Sequence, residues 1–153
     1  MNISKIVSGG QTGVDRAGLD VALSLAYPIG GWCPKGRIAE DGVIDQQYPL
    51  QETPRSDYYQ RTEWNVRDSD GTLIICWGPP TGGTGYTMEH AKKLGRPFFI
   101  FDLKQPQPEQ QKNFAIWVAQ HNIRTLNIAG PRENPAQTIY PAAKEILLLL
   151  LSR

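Results

Sequence analysis

Apolar residues along this chain fall into two alternating patterns. In the first, strand-like runs recur at Ser4–Val7, Pro28–Cys33, Thr72–Cys76, Pro97–Phe101 and Arg124–Ile128, most of them apolar on successive residues. Unbroken runs of this kind predict strands of a parallel sheet buried on both faces, whereas a strand with one wet face would alternate. In the second, apolar residues recur at helical spacing. Val14, Ala17, Gly18, Val21 and Leu25 form one such face, and Thr12 with Asp15 has the spacing of a capping box at its start. Asp57 with Gln60 predicts a capped helix reaching about Ser69. A helix from about Thr84 closes with Lys92 and Lys93 in its last turn and Gly95 after it, before Pro97 opens the next strand. Phe114, Trp117, Val118 and His121 mark a further helix, and Ile139 to Leu151 the last.

Strand followed by helix, repeated, implies right-handed crossovers and a sheet covered on both sides. The expected fold is α/β: a three-layer Rossmann-like sandwich with a mostly parallel sheet flanked by helices, as one domain over 1–153. Pro34 to Pro54 is the irregular exception, with a short strand expected near Tyr48–Gln51. Ligands of such folds bind beyond the carboxyl ends of the strands. That edge should carry Ser8–Gly13, Cys33–Arg37, Thr81–Gly85 and Ala129–Glu133.

Charge and composition narrow the partners. A formal net charge of +1 gives no bulk attraction for nucleic acid or an anionic membrane. The longest apolar run, Ile146 to Leu151, is far short of the ~20 residues of a membrane span. The N-terminus runs straight into a strand pattern, so no secretory signal is expected. Cys33 and Cys76 have neither CxxC nor zinc spacing, which predicts two free thiols in a cytoplasmic protein and no protein-bound metal site.

Two glycine-rich turns carry most of the chemistry. Gly9, Gly10, Gln11, Thr12 and Gly13 follow the first strand, and Gly82, Gly83, Thr84 and Gly85 follow the third. Glycine lets backbone approach a ligand closely, and a helix N-terminus just beyond offers N–H groups to an anion. Neither turn is GxGxxG, and no GKS or GKT follows, so neither a standard dinucleotide site nor a P-loop is indicated. Arg16, Lys35, Arg37 and Arg132 flank the presumed pocket, and an arginine fork suits phosphate oxygens. Asp15 is either a cap or a ligand contact. Arg61, Asn65 and Asp68 share one helical face. Trp77, at a strand exit, is placed to stack on a ring, while Trp64 reads as core. His90 and His121 are isolated.

Thr81 to Glu89, TGGTGYTME, resembles the PGGxGTxxE motif of the LOG-like phosphoribohydrolases: Gly82, Gly83, Gly85 and Glu89 match, while Thr81 and Tyr86 depart. Arg61 stands nine residues ahead of Asp70, as that family's catalytic arginine does before its aspartate. GGQTGVDRAGLD, WCPKGRIAEDG, RTEWNVRDSDGTLI, GGTGYT and NIAGPREN together resemble more closely the molybdenum carrier proteins, a branch of the same superfamily.

The resemblance implies a carrier of a small phosphorylated, nucleotide-like ligand, molybdenum cofactor foremost. The alternative it implies is a hydrolase splitting the N-glycosidic bond of nucleoside 5′-monophosphates, with Arg61 and Glu89 catalytic and both approaching the pocket. Both related families assemble, and Ile146 to Leu151 is apolar around nearly the whole helix, so a homodimer or homotetramer is expected.

Overall fold

The computed structural model describes residues 1–153. In chain order its elements are β1 (Lys5–Val7), α1 (Val14–Ser24), β2 (Ile29–Gly30), β3 (Trp32–Cys33), β4 (Ile38–Ala39), β5 (Gly42–Val43), β6 (Gln51–Glu52), α2 (Tyr58–Arg67), β7 (Gly71–Cys76), α3 (Gly82–Leu94), β8 (Phe98–Asp102), α4 (Gln107–Gln120), β9 (Thr125–Ala129) and α5 (Tyr140–Leu151). Five strands form one sheet in the order β2-β1-β9-β7-β8, and every pairing in it is parallel. This is the Rossmann-like α/β arrangement that the unbroken apolar runs predict. β7, paired on both sides by β9 and β8, is buried at every residue, which is why its sequence does not alternate.

Helices α1 and α4 pack against α5 on one face, and α2 packs against α3 on the other. The two faces differ in chemistry. On the first, Val14, Ala17 and Val21 of α1, Phe114 and Trp117 of α4, and Ile146 and Leu150 of α5 close over Ile6, Leu73, Ile75 and Ile128. Facing α2 and α3, buried polar residues are prominent: Asn65, Thr72, Thr84, Thr87 and Asn127. A second cluster of Leu19, Cys33, Ile44, Tyr48 and Leu50 anchors the long irregular segment.

Several local expectations are corrected. The run Pro28–Cys33 is two strands, since Gly31 at φ 123° turns the chain out of the main sheet. A Cβ at that position would collide with the Ser8 carbonyl. Trp32–Cys33 pairs instead with Gln51–Glu52, one step beyond the strand expected near Tyr48–Gln51. The hairpin of β4 and β5 lies within the segment read as irregular. No capping box forms on α1. Its N-cap is Gly13 at φ 83°, and the Thr12 hydroxyl accepts from the Glu133 N–H instead. The Asp57 cap of α2 is as expected, its carboxylate accepting from the Tyr59 and Gln60 N–H groups. α3 begins at Gly82, two residues early, so the second glycine turn is itself the first turn of the helix. Gly95 closes it in the left-handed conformation, φ 65°. On α5, Leu148 and Leu149 stay exposed while Ile146, Leu147, Leu150 and Leu151 are buried.

Candidate functional site

The carboxyl ends of β1, β9 and β7 open into one cavity of about 880 Å³. Ligand clefts run from roughly 300 to 1,000 Å³, so a nucleotide-sized molecule fits. Its walls come from the first glycine turn, the inner face of α2, the start of α3 and the segment Ala129 to Ile139. Of the residues singled out in the sequence, Gly9, Gln11, Arg61, Asn65, Gly83, Thr84 and Arg132 line it.

The two helix N-termini are not equivalent. At α1 the chain satisfies most of its own N–H groups. Gly10 N–H donates to Ser8 Oγ at 3.2 Å, Thr12 N–H to Gln11 Oε1 at 2.9 Å, and Val14 N–H to the Pro131 carbonyl at 3.2 Å. Gln11 N–H points at Asp15 Oδ2, 3.4 Å away. An aspartate of the chain thus sits where the sequence suggested a ligand anion. At α3 nothing intervenes. The Thr81 side chain makes no capping bond, and the N–H groups of Gly82, Gly83 and Thr84 have no partner. That end keeps the positive pole of a helix dipole facing the cavity.

Arg61 is the enclosed cation, with 12 % of its side chain exposed. Its Nη1 donates to the Gly9 carbonyl at 3.2 Å, its Nε to Thr62 Oγ1 at 3.2 Å, and its Nη2 has no protein partner. The guanidinium lies over the Tyr58 ring, 5.1 Å from the centroid. Asp15 Oδ2 stands 3.6 Å from Nη1, too long for a hydrogen bond but close for an ion pair. Burial pushes the Asp15 carboxyl up to about 6, against the lowering pull of Arg61 and of the Gln11 N–H. At the rim, Arg132 pairs with Glu40 at 2.9 Å, and Glu133 caps α5 by accepting from the Ile139 and Tyr140 N–H groups.

Cys76 and Trp77 close the β7 side. The Cys76 thiol donates to the Gly78 carbonyl at 3.1 Å, and burial, then Asp102, push it up to about 11. It is therefore a neutral thiol at ordinary pH. Trp77 lines the cavity with its body against the large core, and its buried Nε1 has no partner. Trp64 lies away from the cavity, edge-on to Trp32 at 4.7 Å. No group of three or more His, Cys, Asp or Glu is placed to hold a metal ion. No helix is long and apolar enough to cross a membrane.

Several candidates stand elsewhere. Glu89, expected to approach the pocket beside Arg61, lies outside the cavity lining, 66 % exposed and facing Lys92 at 3.5 Å. Lys35 is exposed on its turn and lines nothing. Arg37 turns inward on its own loop, donating to the carbonyls of Ile44, Asp45, Tyr48 and Leu50. Arg16 holds Asp41 at 3.0 Å and the Gly10 carbonyl, and with Thr12 and Gly13 lines a separate, shallower hollow. Gly10 is packed under Ile44 and Leu50, Gly13 against Pro131 and Arg132. Gly82 and Gly85 shape the helix start without lining the cavity. Asn65 reaches the wall, but its amide grips the Trp32 backbone, accepting from N at 2.8 Å and donating to O at 2.9 Å.

Sequence reasoning left out Tyr58, Tyr59 and Asn127 of the wall. Asn127 carried a usable signal: it is the lone polar residue between Leu126 and Ile128 in a buried strand, donating to Thr72 Oγ1 at 3.2 Å.

A parallel sheet with helices on both faces and a polar cavity at its carboxyl edge defines a Rossmann-like ligand-binding α/β protein. The chain belongs to the circularly permutated YpsA SLOG family, whose model matches residues 6–151. It is also similar to a crystal structure from Syntrophus aciditrophicus SB named "Putative molybdenum carrier protein", with 45% identity, a TM-score of 0.91, and coverage of 99% of this chain and 96% of that one. No curated protein matches the chain.

Proposed function

We propose that the chain is a carrier for a small phosphorylated, nucleotide-like ligand, with molybdenum cofactor, a pterin phosphate, as the carried species. The observation that carries this is the sharing of one cavity by two sets of unpartnered donors: the first N–H groups of α3 and Arg61 Nη2. Donors left open beside a nucleotide-sized space, one set of them at a helix N-terminus, suit an acceptor-rich anionic guest. The phosphate takes the α3 end together with Arg61 Nη2, the helix dipole adding ~0.3–2 kcal/mol of stabilisation. The ring lies toward Tyr58 and Trp77, and Arg132 guards the rim. The name borne by the Syntrophus structure supports molybdenum as part of the cargo.

In the alternative reading Glu89 and Arg61 act together on the glycosidic bond of nucleoside 5′-monophosphates, and Glu89 lies outside the cavity that holds Arg61. The protein works in the cytoplasm as one domain, and assembles as a homodimer or homotetramer through the exposed Leu148–Leu149 face of α5. Incubation with nucleoside 5′-monophosphates, followed by chromatography for free base and calorimetry for binding, tests the choice. Binding without base release is expected; robust base release installs the hydrolase.

A further inference from the structure

The Asp15–Arg61 contact is built unlike a structural ion pair. Such a pair inside a protein is stable when both partners complete their hydrogen bonds. Here the carboxylate's contacts are loose: a 3.4 Å approach from the Gln11 N–H, a weaker pull from the Gly9 N–H, and a 3.6 Å approach from Arg61 Nη1. Both side chains are about nine-tenths buried, and both line the cavity. Arg61 keeps Nη2 free, so it is the enclosed donor an incoming anion would meet. An anion on Nη2 comes to rest beside the Asp15 carboxylate, within the range where two like charges in a poorly solvated site cannot both stay ionised.

We infer that an anionic ligand group seats on Arg61 only as Asp15 takes up one proton from solvent, so that ligand capture is coupled to protonation of the first helix. This rests on the anion site proposed above. The proton goes to the Asp15 carboxyl, which changes from a competitor for Arg61 into a hydroxyl donor able to bond the ligand oxygen. No covalent bond of the ligand changes.

The surrounding charges leave Asp15 as the group that must adjust. From α2 only Arg61 faces it closely, and from its own helix Arg16 adds a weaker pull while held by Asp41 and the Gly10 carbonyl. On the hairpin and the segment after β9, Glu40 and Arg132 are paired with each other and Glu133 is bonded to the start of α5. From α3 the cavity receives Tyr86, whose hydroxyl is bonded to Glu63, and from β7 the neutral thiol of Cys76. No histidine lines the cavity. The raised affinity of buried Asp15 for a proton puts the exchange within reach of physiological pH.

Sulfate is the probe, because it stays a dianion throughout the range and brings no titration of its own. Calorimetry of the full chain at pH 7.5, in buffers of different ionisation heat, counts protons taken up per sulfate bound. The expected count exceeds one half, with affinity at least tenfold weaker at pH 7.5 than at pH 5.5. Asp15→Asn, checked for an unchanged fold by circular dichroism, should bind sulfate with no proton uptake and near-equal affinity at both pH values. A count of zero in the wild-type protein overturns this inference and leaves the anion site standing. So does a pH dependence that Asp15→Asn retains. Absence of sulfate binding in both proteins at both pH values overturns the anion site as well.

Discussion

Gly9 leaves the space that the Arg61 side chain fills. Arg61 Nη1 donates to the Gly9 carbonyl at 3.2 Å, and a Cβ on residue 9 would meet Arg61 Cδ at 2.8 Å. The first glycine turn therefore serves to seat a cation from α2, with its own N–H groups largely turned inward.

Gly9→Ala should consequently push the guanidinium aside without unfolding the chain, since the far end of a flexible side chain gives way. Affinity for a nucleoside 5′-monophosphate is expected to fall about tenfold or more, roughly 1.4 kcal/mol. Calorimetry measures the loss, and a thermal melt checks the fold. Unchanged affinity would mean that Arg61 does not touch the ligand.

At the other end of the cavity, no atom lies within 4 Å of a Cβ built on Gly83. Gly83→Ala should therefore be neutral or stabilise by up to about 1 kcal/mol through helix propensity. Gly83→Asp places a carboxylate in the first turn of α3, which favours the helix by ~0.3–1 kcal/mol but competes with a phosphate there. Melting temperature should hold or rise while nucleotide binding collapses. A variant that still binds fully would move the phosphate away from α3.

Asp15 has its folded-state proton affinity raised, from 3.8 to about 6. A raised value means the folded state binds the proton more tightly than the unfolded one. The group's stabilising contribution is full below about pH 4 and is lost as pH rises through 6. Asp15→Asn removes the penalty above that window. Its stability advantage in denaturant melts should be about 1 to 3 kcal/mol at pH 8 and should close toward pH 4. An equal difference at both pH values would show that burial of the charge is not what the substitution relieves.

The parallel sheet and the helices that cover it follow from features a sequence displays: apolar runs long enough for buried strands, helical spacing between them, and Gly95 and Asp57 at helix ends. What stayed hidden depends on contacts between distant segments. Nothing around Gly31 says that Ser8 leaves no room for a side chain there, or that Asn65 will grip Trp32. Arg37 looked like a phosphate clamp because its four carbonyl acceptors belong to a loop whose course only the fold defines. The Glu of the TGGTGYTME motif was legible as a residue, but its outward aim was not. Asp15 was visible as a first-turn acid, and its role turned on the partner brought by α2.

Arg37 supplies a contrast with the ligand residues. Its removal leaves four carbonyls of the Ile44–Leu50 segment without their shared donor. Arg37→Ala is expected to destabilise by about 1 to 3 kcal/mol while leaving nucleotide affinity within twofold. Loss of affinity with intact stability would return Arg37 to the ligand site.

The most direct measurement is native mass spectrometry of gently purified protein, wild type beside Arg61→Ala. A carrier with its anion seated on Arg61 should emerge from wild-type protein with a bound small molecule that fragments with loss of phosphate, and Arg61→Ala should emerge empty. Wild-type protein that is empty as purified, and stays empty after incubation with nucleoside 5′-monophosphates and with molybdenum cofactor, would contradict a phosphate-ligand carrier.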